Sequence, residues 1–228
     1  LRRVAAENGV EIEIGRLTAD PAVRQAPLRT IFSRGYVSQT IMTTMTWFLL
    51  SLGYYGIFTW LPSIFRSQGF ATLPVYQNTF ILALAQLPGY FSAAWLVERI
   101  GRPRTLGLYL LYSAVATFVF SVVTGATDIL AASVMMSFFT LGAWGVLYAY
   151  TPELYPTSAR GTGMGWAGGV ARIAGVVAPV LGARLLDLDL TVALMVYAMA
   201  FAVAGGAVLL LGRETMGRQL ADVATEIP

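Results

Sequence analysis

Apolar and polar positions fall in long blocks along this chain rather than alternating at the short period of an amphipathic strand or helix. Residues 1–35 are polar and hold six arginines (Arg2, Arg3, Arg16, Arg24, Arg29, Arg34) against four acids. Residues 1–8 read as the end of a surface helix stopped by Gly9, and Asp20-Pro21 as a turn. Six apolar stretches follow, at 37–65, 78–97, 105–124, 129–151, 164–185 and 190–211, with Pro62 ending or bending the first one early. A helix that crosses the hydrocarbon core of a bilayer needs about 20 mostly apolar residues at about 1.5 Å each. Six such stretches, joined by connections as short as 125–128, predict an all-α membrane protein rather than the buried helices of a large soluble enzyme. The implied organisation is a solvent-facing linker over 1–35, a six-helix bundle over 36–211 and a tail over 212–228.

Composition sharpens that picture. The chain is 57% hydrophobic and only 12% charged, where soluble domains carry about 25% charged residues. Its net charge of +3 is spread between apolar stretches instead of forming one basic face, so nucleic acid is not an expected partner. There is no Cys, hence no thiol nucleophile or disulfide frame, and no His, the commonest general base and metal ligand. No metal, cofactor or enzymatic activity is expected. Residues 1–20 lack the pattern of a signal peptide, and a chain opening on Leu1 reads as a piece of something longer.

Arginine placement sets an expected orientation. With six spans both ends share a side, together with the connections at 98–104 and 152–162. That side holds Arg99, Arg102, Arg104, Arg160, Arg213 and Arg218 besides the six of the linker, and the other side only Arg66 and Arg184. Basic residues collect on the cytoplasmic side, so both termini are expected there, with the bundle in the cytoplasmic membrane.

One arginine is left over. Arg172 lies inside the fifth apolar stretch, nine residues past Gly163, which is about 13 Å along a helix and close to the bilayer midplane. An ionised group at that depth is costly unless it faces protein or a watery cleft, which makes it a candidate binding residue. Its planar fork suits a carboxylate. The bland alternative pairs it with backbone carbonyls or with an acid outside this chain. Polar-tipped aromatics stand at plausible depth in other stretches: Trp47, Tyr54 and Phe58 on one face of the first with Tyr55 beside them, and Trp144 one turn from Tyr148 in the fourth. Such rings can stack on an aromatic ligand while hydrogen-bonding it. Gln86 is the one strongly polar side chain midway along the second. For any of these, helix packing or an interfacial belt is an equal reading, and Trp60 near a helix end is read as belt. Gly161, Gly165 and Gly169 recur every four residues, a spacing that lets another helix approach closely.

Three motifs in order carry a resemblance. Val97-Glu98-Arg99-Ile100-Gly101-Arg102-Pro103-Arg104 resembles the acid-Arg-x-Gly-Arg-Arg loop of major facilitator superfamily transporters. Pro152-Glu153-Leu154-Tyr155-Pro156-Thr157, with Arg160 behind it, resembles the Pro-Glu-x-Tyr-Pro-Thr-x-x-Arg signature of that superfamily's sugar porters and organic ion transporters. Glu214-Thr215-Met216-Gly217 resembles the Pro-Glu-Thr-x-Gly after the last helix. Departures at Ala94, Pro103 and Arg213 lean away from the sugar-porter branch. The resemblance implies the C-terminal six-helix half of a twelve-helix secondary transporter, whose partners are the lipid bilayer, the N-terminal six-helix half and a small-molecule substrate. It implies a gating latch at Glu98, Arg99, Arg102, Glu153 and Arg160, against the alternative of solvated loops whose arginines only enforce topology. It also implies that the position of Arg172 helps to decide anion against cation, in an alternating-access mechanism. The substrate expectation is then a small organic anion, with an aromatic carboxylate favoured, bound by Arg172, Tyr54, Tyr55, Gln86, Trp144 and Tyr148. With no carboxylate inside the six stretches, a coupled proton, as in a symporter, would titrate in the other half. The rival readings are a sugar or polyol porter half, which would want more Gln and Asn in the helices, and a truncated, non-transporting membrane protein.

Overall fold

Prolines and glycines at the ends of the apolar stretches decide where the chain turns, and the computed structural model, which describes residues 26–217, places helices between them. A short helix α1 (Leu28–Ile31) precedes α2 (Val37–Phe58) and α3 (Leu61–Ser67), then come α4 (Thr72–Ile100), α5 (Arg102–Val122), α6 (Ala126–Glu153), α7 (Thr157–Leu188) and α8 (Leu190–Leu211). Six of them, with α4 counted from Pro74, are long and apolar enough to cross a membrane. The expected linker 1–35 lies mostly outside the described residues, as does the end of the tail. The first apolar stretch is two helices: the chain breaks after Phe58 and restarts with Pro62 in the first turn of α3, where a missing N–H costs nothing.

Three spans, α4, α6 and α7, extend beyond their apolar stretches at both ends, since polar first and last turns remain helical outside lipid. The breaks are short. Gly101 alone separates α4 from α5, at φ 90°, a backbone state that a Cβ disfavours. Extended Pro156 leads into α7. Extended Asp189 divides α7 from α8, and its carboxylate accepts the Val192 N–H at 3.1 Å, which caps α8 and holds the carboxyl below its ordinary range.

Packing pairs α2 with α7 and α8, α4 with α6, and α5 with α6 and α8. The core holds Trp47, Leu50, Met136, Leu147, Tyr150 and Phe201, all nearly inaccessible. Buried hydroxyls are satisfied within their own helices, as when Thr46, Thr117 and Ser133 donate to the carbonyls four residues back. Others tie helices together: Trp47 Nε1 donates to Thr151 Oγ1 at 2.9 Å, Ser137 Oγ to the Leu82 carbonyl at 2.9 Å, and Trp166 Nε1 to Thr44 Oγ1 at 2.8 Å. Trp60, expected in the interfacial belt, instead donates to the Pro179 carbonyl at 3.1 Å and so pins the α2–α3 junction to α7. It is a structural tie, because the break after Phe58 turns the ring inward.

Helix α4 approaches α6 closely. A methyl on Gly89 would land on the Phe138 carbonyl oxygen, and one on Gly142 would enter the Tyr109 ring. Tyr109 can shift, but a helix carbonyl cannot. Gly89→Ala is therefore expected to destabilise the bundle by about 2 kcal/mol or more, read as a lower unfolding midpoint of the purified protein in detergent. The expected helix contact at Gly161, Gly165 and Gly169 is not made among the described residues: a Cβ at each meets open space. Close packing of α7 falls at Gly163, against Tyr155, and at Gly182, against Trp60 and Tyr197.

That open row belongs to a wider feature. The apolar cores of α4 and α7 are only 22% and 28% buried, against 50–61% in the other four spans. Each of these two helices presents an uncovered face, and the candidate site lies on that of α7.

Candidate functional site

Arg172 is the sixteenth of 32 residues in α7, so about 24 Å of helix extends to either side of it, and the hydrocarbon core is about 30 Å thick. Alanines turn the opposite side of α7 inward, with Ala167, Ala171, Ala174 and Ala178 buried. That leaves Arg172 exposed on the uncovered face. Its guanidinium makes no hydrogen bond or ion pair among the described residues.

Beside it is a cavity of about 570 Å³ lined by Arg172, Trp47, Tyr55, Trp144, Tyr148 and Met164, with Gly168 and Gly175 on the α7 side. The two glycines keep the α7 wall low; a Cβ on Gly175 would touch the Tyr55 ring at 3.5 Å. The opposite wall is aromatic. Trp47 meets Trp144 and Tyr148 edge-on, with centroids 5.5 and 4.8 Å apart, and Trp144 lies 5.7 Å from Tyr148. Trp144 is buried, and its indole N–H has no hydrogen-bond partner among the described residues. The cavity thus offers one cation, exposed phenols and flat rings, a donor set for an aromatic acid.

The structure sorts the sequence candidates. Arg172, Tyr55, Trp144 and Tyr148 come together in this cavity. Tyr54 stands behind them, its ring against Tyr55, Phe58 and Trp144. Gln86 is directed to the α4–α6 crossing, where its amide donates to Ser137 Oγ at 3.3 Å. Trp47 and Met164 line the cavity and were not among the proposed contacts, although the helical spacing of Trp47, Tyr54 and Phe58 was the signal for Trp47.

At one end of the bundle a charge cluster joins three helix termini. Arg102 at the start of α5 donates from Nε to Glu153 Oε2 at 3.1 Å and reaches Glu98 Oε1 at 3.2 Å. Thr215 donates its hydroxyl to the same Glu153 oxygen. Glu214 Oε1 accepts the backbone N–H groups of Arg102, Thr215 and Met216 at 2.9–3.1 Å, and Tyr150 donates to the Arg213 carbonyl at 2.6 Å. The segment after α8 is thereby strapped to both turns. Of the other gating candidates, Arg160 donates to the Pro152 carbonyl at 3.0 Å rather than to a carboxylate, and Arg99 lies 4.9 Å over the Trp95 ring, outside the cluster.

Residues 9–226 match the family described as sugar (and other) transporter. The chain belongs to that transporter family. Its described residues form the all-α, six-helix half of a major facilitator bundle. The chain is 40% identical over 195 residues, 85% of its length, to the putative niacin/nicotinamide transporter of Bacillus subtilis, of which that covers 49%. It is 37% identical over 202 residues, 88% of its length, to the niacin transporter of Acinetobacter baylyi, covering 46% of it. The Xenopus laevis synaptic vesicle 2-related protein is more distant, at 25% identity over 97% of this chain and 44% of its own. The chain spans about half the length of these relatives. The family's members are membrane transporters, and nothing in the described residues gathers three or more His, Cys, Asp or Glu into a metal site.

Proposed function

We propose that this chain is the C-terminal half of a secondary transporter that carries a small aromatic carboxylate across the cytoplasmic membrane by alternating access. The single observation behind this reading is the juxtaposition, in one 570 Å³ cavity, of a mid-helix guanidinium and an aromatic wall. The carboxylate pairs with Arg172, and its ring packs against the exposed Tyr148 and Tyr55, with buried Trp47 and Trp144 and half-buried Tyr54 backing them. The uncovered face of α4 and α7 receives the N-terminal half, which completes the cleft and moves against it. Both termini face the cytoplasm, where Arg102, Glu98 and Glu153 latch the helix ends in one of the two states. That two relatives are named for niacin transport agrees in chemistry, since niacin is an aromatic acid.

A sugar-porter reading gains nothing from the cavity. Among the described residues no amide side chain lines it, and Gln86, the mid-helix amide, is occupied by Ser137. Uptake by the full-length protein tests the choice. Radiolabelled nicotinate and benzoate are expected to accumulate, nicotinamide and hexoses much less. Accumulation of neutral hexoses without acids would overturn the proposal.

A further inference from the structure

A second cavity, of about 300 Å³, lies at the end of the bundle that carries the charge cluster, remote from Arg172. Arg99, Ile100, Pro103, Arg104, Leu209 and Glu214 contribute to its walls. Arg99 and Arg104 flank the one-residue Gly101 turn, and both are exposed. Neither is in an ion pair among the described residues. The acid in the cavity is already engaged: Glu214 Oε1 takes three backbone N–H groups.

Two further observations fix the depth and surroundings of this pair. Arg99 rests on Trp95, which is 59% exposed, and an exposed tryptophan beside an arginine at a helix end marks the membrane–water boundary. Below the arginines every exposed residue of α8, from Leu211 back to Val192, is apolar. Leu209 borders the cavity and Leu210, beside it, is 85% exposed. About 15 Å further along α8, one leaflet deep, Met195, Met199 and Ala202 face Val115 and Phe118 of α5 across a groove lined, among the described residues, by apolar side chains. Two forked cations at the headgroup level above a continuous hydrocarbon-facing track suit an amphiphile with an anionic head.

We propose that this cavity binds the phosphate of an anionic phospholipid from the leaflet on the side of the chain termini, with its acyl chains lying along the α5–α8 face. Two guanidiniums across one turn can fork the phosphodiester oxygens, and guanidinium, weakly hydrated, gives up its water at low cost. Basic pockets between spanning helices take lipid headgroups by this chemistry. A soluble phosphate would meet the same arginines but gain nothing from Leu209, Leu210 or the groove, which is why the membrane is the source. Such a lipid would hold the α4–α5 turn next to the Arg102–Glu153 latch.

The test uses the full-length protein in nanodiscs of phosphatidylcholine containing one-fifth phosphatidylglycerol, extracted gently and analysed by native mass spectrometry. Wild type is expected to retain phosphatidylglycerol at least fivefold above its share of the bilayer. R99A/R104A is expected to lose that enrichment, R99K/R104K to keep part of it, and Arg66→Ala, at the opposite end, to match wild type. R99Q and R104Q singly are each expected to lower it, which serves if the double variant does not insert. Glycerol 3-phosphate at millimolar concentration is expected not to displace the lipid. Equal enrichment in wild type and R99A/R104A, or in the R99Q and R104Q variants if the double fails, would overturn the assignment. Displacement by glycerol 3-phosphate would overturn the membrane source.

Discussion

Arg172→Ala is expected to lower nicotinate uptake by the full-length protein on the order of 100-fold in kcat/KM, with insertion and thermal stability unchanged. A guanidinium binding a carboxylate through two charge-assisted hydrogen bonds in a site shielded from bulk water is worth about 3 kcal/mol, and each 1.4 kcal/mol is tenfold. Stability stays because the side chain projects from the uncovered face and makes no hydrogen bond or ion pair among the described residues. Arg172→Lys keeps the charge without the fork and should recover part of the loss. Trp60→Phe is the contrasting variant. It removes the bond to the Pro179 carbonyl, so it should cost about 1 kcal/mol of stability and leave uptake near wild type. Equal loss of uptake in both, at normal membrane levels, would remove Arg172 from the site.

The residues that made Arg172 visible in the sequence also explain what stayed hidden. A lone charge in twenty apolar positions stands out whatever the fold, as do six stretches that meet lipid, and both were legible. The rotation of each helix was not. In a soluble helix the polar stripe marks the outside, but these spans are apolar nearly all round, so periodicity does not say which side meets protein. Tyr54 and Tyr55 are neighbours with equal claims in the sequence, yet packing against Trp144 and Phe58 draws Tyr54 behind the wall and leaves Tyr55 in the cavity. Gln86 looked like a ligand contact because it is polar at mid-depth. It faces Ser137 because Gly89, one turn later, brings α4 onto α6. The glycines of α7 differ in the opposite sense: their four-residue spacing suggested a seam, and a Cβ at Gly161, Gly165 or Gly169 meets open space on the face that this half leaves uncovered.

The second large effect belongs to the charge cluster, where motif and geometry can be separated. Arg102 and Glu153 are mostly enclosed, with side chains 15% and 23% exposed, whereas Glu98 is 68% exposed. Removing one partner of an enclosed pair leaves an uncompensated charge, which costs about 3 kcal/mol; an exposed pair contributes about 0–1 kcal/mol. Arg102→Ala should therefore lower the unfolding midpoint strongly and disturb the tail as well, since Glu153 also holds Thr215. Glu98→Gln should barely change stability. If Glu98 nonetheless strengthens the latch in one transport state, its replacement should alter the turnover rate while leaving substrate affinity in place. A double-mutant cycle on Arg102 and Glu153, read by thermal unfolding, should give a coupling energy near 2 kcal/mol, and R102A/E153Q should be more stable than Arg102→Ala because the stranded carboxylate is gone. Additive effects in that cycle would mean that solvent compensates both charges and that the cluster is a topology signal only. Coupling in stability together with a rate effect at Glu98 would instead tie the strapped helix ends to the motion between states.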